Sequence, residues 1–243
     1  LPAWGERAIA ISDAVATDLQ ENHRVHSNRI RLVYNGLNLE ELVQKFLSYD
    51  PVLVRREYGF SEDANVVGII ARLVPDKGHE YLIQSVKMLE SEIPSLQLLI
   101  VGDGRYRDNL EQLTHRLNLD KRIYFTGNLK DVSKPLAAID VFAMPAVWRE
   151  GFGLSIVEAM ACQKPVIVTN IWALNTLIQN RVNGILVEPR NVEDLAQAIR
   201  LILKDLILKE KIGRAGQETA QKRISLDRMV QEVETVYEEV LRG

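Results

Sequence analysis

An α/β fold built on a doubly wound, mostly parallel sheet is predicted by this 243-residue sequence on three observations. Short, nearly continuous apolar runs recur from residue 66 onward. Amphipathic helical stretches separate them, and loops carrying glycine or charge follow them. A run that is apolar on both faces suits a strand covered on both sides, the condition of a parallel sheet between helical layers. Strand and helix alternating along the chain is the pattern that builds such a sheet.

The elements follow in order. Residues 1–35 form a small unit of their own, with a strand near Ala8–Ile11, a helix from Asp13 to about Gln20 and a strand at Ile30–Tyr34. Ser12 or Asp13 is placed to cap that helix. Asn35-Gly36 breaks the pattern, and residues 37–60 show no clear period and read as a connector. The sheet strands are expected at Val66–Ala71, Leu98–Val101, Ile123–Thr126, Val141–Met144, Val166–Thr169 and Ile185–Val187. Leu82, Ile83, Val86 and Leu89 share one helical face, and Leu110, Leu113 and Leu117 repeat at three and four. Pro165 opens a strand, where its missing N–H does little harm. At the far end Leu226, Met229, Val230, Val233, Tyr237, Val240 and Leu241 make a helical stripe opposite Glu232, Glu238 and Glu239. Apolar surface is expected to be exposed on the first and last helices.

Bulk composition narrows the function. Hydrophobic residues make up 47% of the chain, which supports a sizeable core. A net charge of −3 with interspersed signs is not a nucleic-acid footprint. Cys162 is the only cysteine, which rules out an intrachain disulfide and makes reducing cytosol the simplest compartment. Its apolar setting reads as a packed thiol rather than a nucleophile. No apolar run reaches the roughly 20 residues that span a bilayer. The chain opens on Leu1 rather than Met and reads as a fragment of a longer protein.

Four segments carry the chemistry, each at the carboxyl end of an expected strand. Arg72 and Lys77, five positions apart, offer a bidentate phosphate grip and a point charge. Two solvated surface cations would be the plainer reading. Val101-Gly102-Asp103-Gly104 contains a Gly-x-Gly, but Arg107 stands where a dinucleotide fingerprint has its third glycine, which speaks against a nicotinamide enzyme. Phe125-Thr126-Gly127-Asn128-Leu129 is placed to meet a base through its backbone. Glu150-Gly151-Phe152-Gly153-Leu154-Ser155-Ile156-Val157-Glu158 sets two carboxylates eight positions apart around a glycine turn and the start of a helix. Such a turn brings backbone N–H groups close to a ligand, and the helix terminus favours an anion. An anion held beside several hydroxyls is what a nucleotide sugar requires.

In that order the segments resemble glycosyltransferase family 4, retaining nucleotide-sugar enzymes of GT-B fold, over about residues 7–215. The Glu-x7-Glu stretch is the most specific element. Ala71-Arg72-Leu73 with Lys77-Gly78, the Gly102 segment, Glu158-Ala159-Met160-Ala161-Cys162 and Asn183-Gly184 support it. The resemblance implies a Rossmann-like donor domain at 61–215, a connector at 36–60, the tail of an acceptor domain at 1–35, and a final helix at 216–243 that crosses back onto that domain. By motif, Arg72 and Lys77 would hold the donor diphosphate and Glu150 would contact the transferred sugar, these three forming the catalytic set. Glu158 would bind the ribose. Gly151, Phe152, Gly153 and Leu154 would present amides to sugar and phosphates, with Gly102, Asn128 and Leu129 completing the donor site.

The resemblance also implies no metal or other cofactor, a nucleotide-sugar donor and a glycan or lipid-linked acceptor. It implies no nucleic acid, a role in cell-envelope polysaccharide synthesis, and a cytoplasmic location with peripheral membrane contact through the domain outside this sequence. Two departures stand out. Asn170–Thr176 replaces a Gly-Gly and Pro-Glu pattern, placing Trp172 near the cleft either to stack on a sugar or to pack on a neighbouring loop. Gln163 replaces a common helix-end glycine. The altered loop keeps open a nucleotide-sugar-binding module without transfer activity.

Overall fold

The computed structural model describes residues 5–148 and 150–242, so the first four residues of the expected tail lie outside the described residues. The small unit comes first: β1 (Ala8–Ala10), α1 (Asp13–Glu21) and β2 (Ile30–Leu32), with β1 and β2 paired in parallel. Ser12 is the N-cap of α1, its hydroxyl accepting from the Val15 N–H at 3.2 Å. Asp13, the first helical residue, accepts instead from the Tyr34 hydroxyl at 2.5 Å.

Residues 37–60, expected as a connector without a period, carry two helices, α2 (Leu39–Leu47) and α3 (Pro51–Glu57). Each has a side-chain cap. Asn38 accepts from Glu41 N–H, and Asp50 accepts from Val52 N–H with Pro51 at the first helical position. They are short, nine and seven residues, but α2 does set an apolar stripe, Leu39, Leu42, Val43 and Phe46, against the core, and α3 buries Val54. The connector thus has a period that the sequence expectation overlooked.

The main sheet contains β3 (Asn65–Ile70), β4 (Leu96–Val101), β5 (Ile123–Gly127), β6 (Val141–Met144), β7 (Val166–Thr169) and β8 (Ile185–Val187). Its order is β5-β4-β3-β6-β7-β8, and every pairing is parallel. Chain order reverses between β3 and β6, so the crevice outside the carboxyl ends of these two strands is where such a sheet binds ligands. The strand boundaries agree with the sequence expectation at β6, β7 and β8 and lie within two residues at the other three.

Helices cover the sheet: α4 (His79–Leu89), α5 (Arg107–Arg116), α6 (Ser133–Ala138), α7 (Leu154–Ala161), α8 (Leu174–Leu177), α9 (Val192–Lys204) and α10 (Leu206–Arg223). Leu82, Ile83, Val86 and Leu89 of α4 are all fully buried, as their shared face predicts. Asp205 ends α9 and caps α10, its carboxylate accepting from the Leu208 N–H at 2.9 Å.

The final helical stretch is divided. α10 ends at Arg223, and α11 (Leu226–Arg242) starts after a break at Ile224-Ser225. Gly36 crosses at that break, where an added Cβ would lie 2.5 Å from the Ser225 carbonyl oxygen. On α11, Val236 faces the protein, whereas Leu226, Val230, Tyr237 and Leu241 form an exposed apolar stripe. At the other end the exposed apolar residues are Ile9 and Leu32 on the strands, not residues of α1, because Ala14 and Leu19 turn that helix's apolar side onto β1 and β2. Gln163 takes the left-handed conformation, φ +56°, at the end of α7, as a helix-terminal residue in a glycine's place should. Cys162 is buried, and burial pushes its thiol up to about 12, so it packs and does not react.

The loops at the ligand edge touch backbone to backbone. Gly102, φ +135°, leaves space for no side chain, since its Cβ would lie 2.0 Å from the Ala71 carbonyl oxygen. Gly102→Ala is therefore expected to lower unfolding stability by at least about 2 kcal/mol through combined backbone strain and overlap. A urea denaturation midpoint equal to that of the parent would refute this account of the loop.

Candidate functional site

The site assembles where the loops after β3 and β6 meet. Leu73 N–H donates to Asp103 O at 2.9 Å, and Val147 N–H donates to Asp76 O at 2.9 Å. The β3 loop is thus tied to the loop after β4 on one side and to the loop after β6 on the other. Gly78, φ +71°, passes so near Pro145 that a Cβ would come within 1.8 Å of its carbonyl oxygen. On the far side of β6 the Thr169 hydroxyl donates to the Ala146 carbonyl at 2.6 Å in a buried bond.

These ties bring Lys77 and Glu150 into a direct ion pair, with only 18% and 15% of their side chains exposed. Seventy-three positions separate them in sequence. A half-buried ammonium keeps three donors, so Lys77 can hold Glu150 and still face a second oxygen. Arg72 lies on the same loop, exposed, and makes no side-chain hydrogen bond or ion pair with the described residues. It borders an open surface cavity of about 500 Å³ whose wall includes Asp103 and Arg105. The structure therefore places Arg72 beside the site as an uncommitted cation, and not within the Lys77–Glu150 pair.

The turn between Glu150 and α7 carries the predicted backbone donors. Gly153 is the N-cap of α7 with φ +81°, a left-handed residue that turns the chain into the helix. Phe152 is buried and anchors the turn, its ring centroid 6.3 Å from that of Tyr34. Gly151 lies beside Ile11 of the small unit, 4.0 Å from where a Cβ would be. Leu154 opens α7 and is partly exposed, and its amide and that of Ser155 have no backbone acceptor among the described residues. Free amides at a helix start carry partial positive charge.

Glu158 lies one turn further along α7. Burial, aided by repulsion from Asp131, pushes its carboxyl up to about 7. Asp131 belongs to the loop after β5, the loop that also carries Asn128 and Leu129, both exposed. Among the described residues the Glu158 side chain makes no hydrogen bond, which leaves its carboxylate oxygens available to hydroxyl donors.

Gly102, expected to touch the donor, has its N–H committed to the Gly127 carbonyl at 2.9 Å, and its missing side chain lets the loops after β3 and β4 close. Sequence reasoning missed two residues. Arg107 does more than displace a glycine. Its guanidinium lies 5.7 Å over the Phe125 ring, bonds Glu111 at 2.7 Å and reaches Asp103 at 3.8 Å, linking the ends of β4 and β5. Its position before an i+4 acid was the available signal. Asp131 had none, because its effect on Glu158 exists only once the sheet brings them together. Trp172 sits half-buried in the loop between β7 and α8. Among the described residues no cluster of His, Cys, Asp and Glu converges as a metal site would need.

The sequence model of the family described as Glycosyl transferases group 1 matches residues 53–219. An uncharacterized glycosyltransferase of Methanocaldococcus jannaschii is 30% identical over 95% of this chain and 59% of its own length. A GDP-mannose-dependent monoacylated alpha-(1-6)-phosphatidylinositol monomannoside mannosyltransferase of Corynebacterium glutamicum is 36% identical over 69% of this chain and 45% of its own. Among solved structures, Anabaena HepE in complex with UDP and glucose superposes with a TM-score of 0.88 at 27% identity, over 98% of this chain and 64% of that one. This chain thus spans about half to two thirds of the relatives it matches. No helix among the described residues is long and apolar enough to cross a membrane.

Glu158 gives a test that needs no ligand. A carboxyl carbon NMR titration should place its midpoint near 7, and Asp131→Asn should lower it. The folded value is raised above the ordinary 4.5, so ionisation costs folding free energy. That cost should accumulate as pH rises from about 4.5 to about 7 and then level off. A midpoint near 4.5 would show that the side chain is solvated.

Proposed function

This chain belongs to the Glycosyl transferases group 1 family, and from that premise we propose that it forms the donor-binding part of a retaining glycosyltransferase. The enzyme would move a sugar from a nucleotide-diphosphate donor to a saccharide or lipid-linked acceptor, in cell-envelope glycan synthesis. The observation that carries this reading is the convergence of Lys77, Glu150 and the start of α7 at the switch point of the sheet, with Arg72 alongside.

Departure of a nucleoside diphosphate leaves negative charge on the β-phosphate. Arg72, Lys77 and the free amides of α7 supply fixed positive charge where it develops, a stabilisation that costs little reorganisation. The charge of Lys77 is balanced by Glu150, so a full site needs Arg72 and the helix terminus as well. Glu150, held by Lys77, is oriented to hydrogen-bond the sugar and keep its reactive face toward the departing phosphate. The acceptor oxygen then attacks on the face the phosphate leaves, and configuration is retained. Ionised Glu158 accepts from ribose hydroxyls, and the stretch after β5 meets the base. In this reading the charge is met by protein groups, and no metal ion is required. A cytoplasmic site facing the inner membrane surface suits lipid-linked acceptors, the class named for the Corynebacterium glutamicum relative.

Calorimetric titration of this chain with UDP, GDP, ADP and CDP tests the donor site. One nucleotide should bind selectively. Arg72→Ala and Glu158→Ala should each weaken it by roughly tenfold or more, the loss of a hydrogen bond to a charged group. Binding should also weaken as pH falls through 7, because protonated Glu158 gives up an acceptor. Absence of binding by folded protein would count against the donor-site reading. In the full-length enzyme Glu150→Gln should bind donor normally but transfer slowly, and transfer at the parent rate would remove Glu150 from catalysis. Donor binding with neither transfer nor slow hydrolysis would instead support a binding module, the reading that the Trp172 loop motivates.

A further inference from the structure

At the opposite edge of the sheet, before β6 and β7, three cations surround one carboxylate. Asp140 accepts from Arg55 Nη2 at 2.8 Å and from Val66 N–H at 2.9 Å through Oδ2, and from Lys209 Nζ at 3.0 Å through Oδ1. Both its oxygens are therefore occupied. Lys164, the third cation, makes no ion pair among the described residues. Its Nζ lies 4.9 Å from the centroid of the Phe46 ring, a weak substitute for an anion. Burial pushes Lys164 down to about 8, Asp140 opposes that push, and Lys209 and Arg55 add to it.

A surface cavity of about 380 Å³ adjoins the group, with Asp140, Lys164, Lys209 and the exposed Leu206 on its wall. Glu210 also borders it but is paired with Arg214. The local balance is three positive charges against one negative, with the positive excess facing an open space. Half-buried cations in that state are costly unless an anion joins them. We propose that this cavity is a second anion site, taking the dianionic phosphate group of a small molecule between Lys164 and Lys209. It lies at the amino ends of β6 and β7, whereas Arg72, Lys77 and Glu150 follow the carboxyl ends of β3 and β6. The two sites can therefore be filled independently, and this inference does not rest on the proposed transfer activity.

The test uses the reactivity of the Lys164 amine. The chain is acetylated at pH 8 and constant ionic strength, with inorganic phosphate or chloride, and each lysine is followed by peptide mass spectrometry. Bound phosphate should slow Lys164 by about fivefold at this pH, as a rise of one pKa unit from about 8 would. Lys204, exposed and paired with Glu92, should not change and serves as the internal control. Protection should survive Arg72→Ala and shrink in Lys209→Met. Equal slowing by chloride, no slowing by phosphate, or protection abolished by Arg72→Ala would each overturn the proposal. The first two deny a specific site, and the third assigns the effect to the donor edge. The parent chain alone decides the first two, so the proposal stays testable even if Lys209→Met fails to fold.

Discussion

The Pro145 carbonyl stands where a side chain on residue 78 would have to go, and the Ala71 carbonyl does the same to residue 102. These backbone contacts, with the Val147–Asp76 and Leu73–Asp103 hydrogen bonds, bind the loops after β3, β4 and β6 into one platform. Loop residues normally move more than the elements they connect. Here the tight crossing removes that freedom and spares the site the entropy of ordering its charges. Arg72 and Lys77 share the loop after β3 while Glu150 lies far away in the chain, and their relative positions depend on the close approach that Gly78 and Gly102 permit. A β-carbon at Gly78 would separate the two loops before it altered any charge.

Electrostatics on that platform are set by what each carboxylate has beside it. Glu150 has a cation in contact, and Glu158 has low-dielectric surroundings and a like charge on the next loop. Two acids eight residues apart thus meet opposite environments, the condition under which one sequence motif divides into distinct roles. The Lys77–Glu150 pair is not chiefly a source of stability, because desolvation of both ions offsets their attraction. Its effect is orientation: a paired ammonium points in a known direction and retains donors for an incoming oxygen.

The sheet was legible because its strands are buried on both faces, so that Val141–Met144 and Val166–Thr169 read as unbroken apolar runs. The glycine turn and its flanking acids were legible because their spacing is local. α2 and α3 were overlooked because each is only two turns long or little more, although Leu39, Leu42, Val43 and Phe46 of α2 do recur at helical spacing. The break at Ile224-Ser225 escaped notice because it follows from a contact with Gly36, nearly 190 positions away, and involves no proline or glycine of its own. Asp131 belongs with it: its significance comes from strand order, which brings the loops after β5 and β6 to one edge, whereas Arg107 had a local signal in Glu111 four residues on. Local chemistry is visible in a sequence, but the neighbours that shift a group's protonation are not.

Tyr34 shows how the small unit is coupled to the donor turn. Its hydroxyl donates to Asp13, its ring packs against Phe152, and Arg228 of α11 lies 5.7 Å over that ring while donating to the Tyr34 carbonyl at 3.1 Å. Burial and the Asp13 bond push its phenol up to about 12, so it stays a neutral donor at any physiological pH. Three segments distant in sequence therefore share one side chain, and the one that carries Phe152 ends at Gly153, the N-cap of α7. A displacement of β1, β2 or α11 relative to the sheet is resisted at Phe152, two residues before the first of the amides proposed to face the phosphates. The packing that attaches the small unit to the sheet is thus the packing that holds the glycine turn in place.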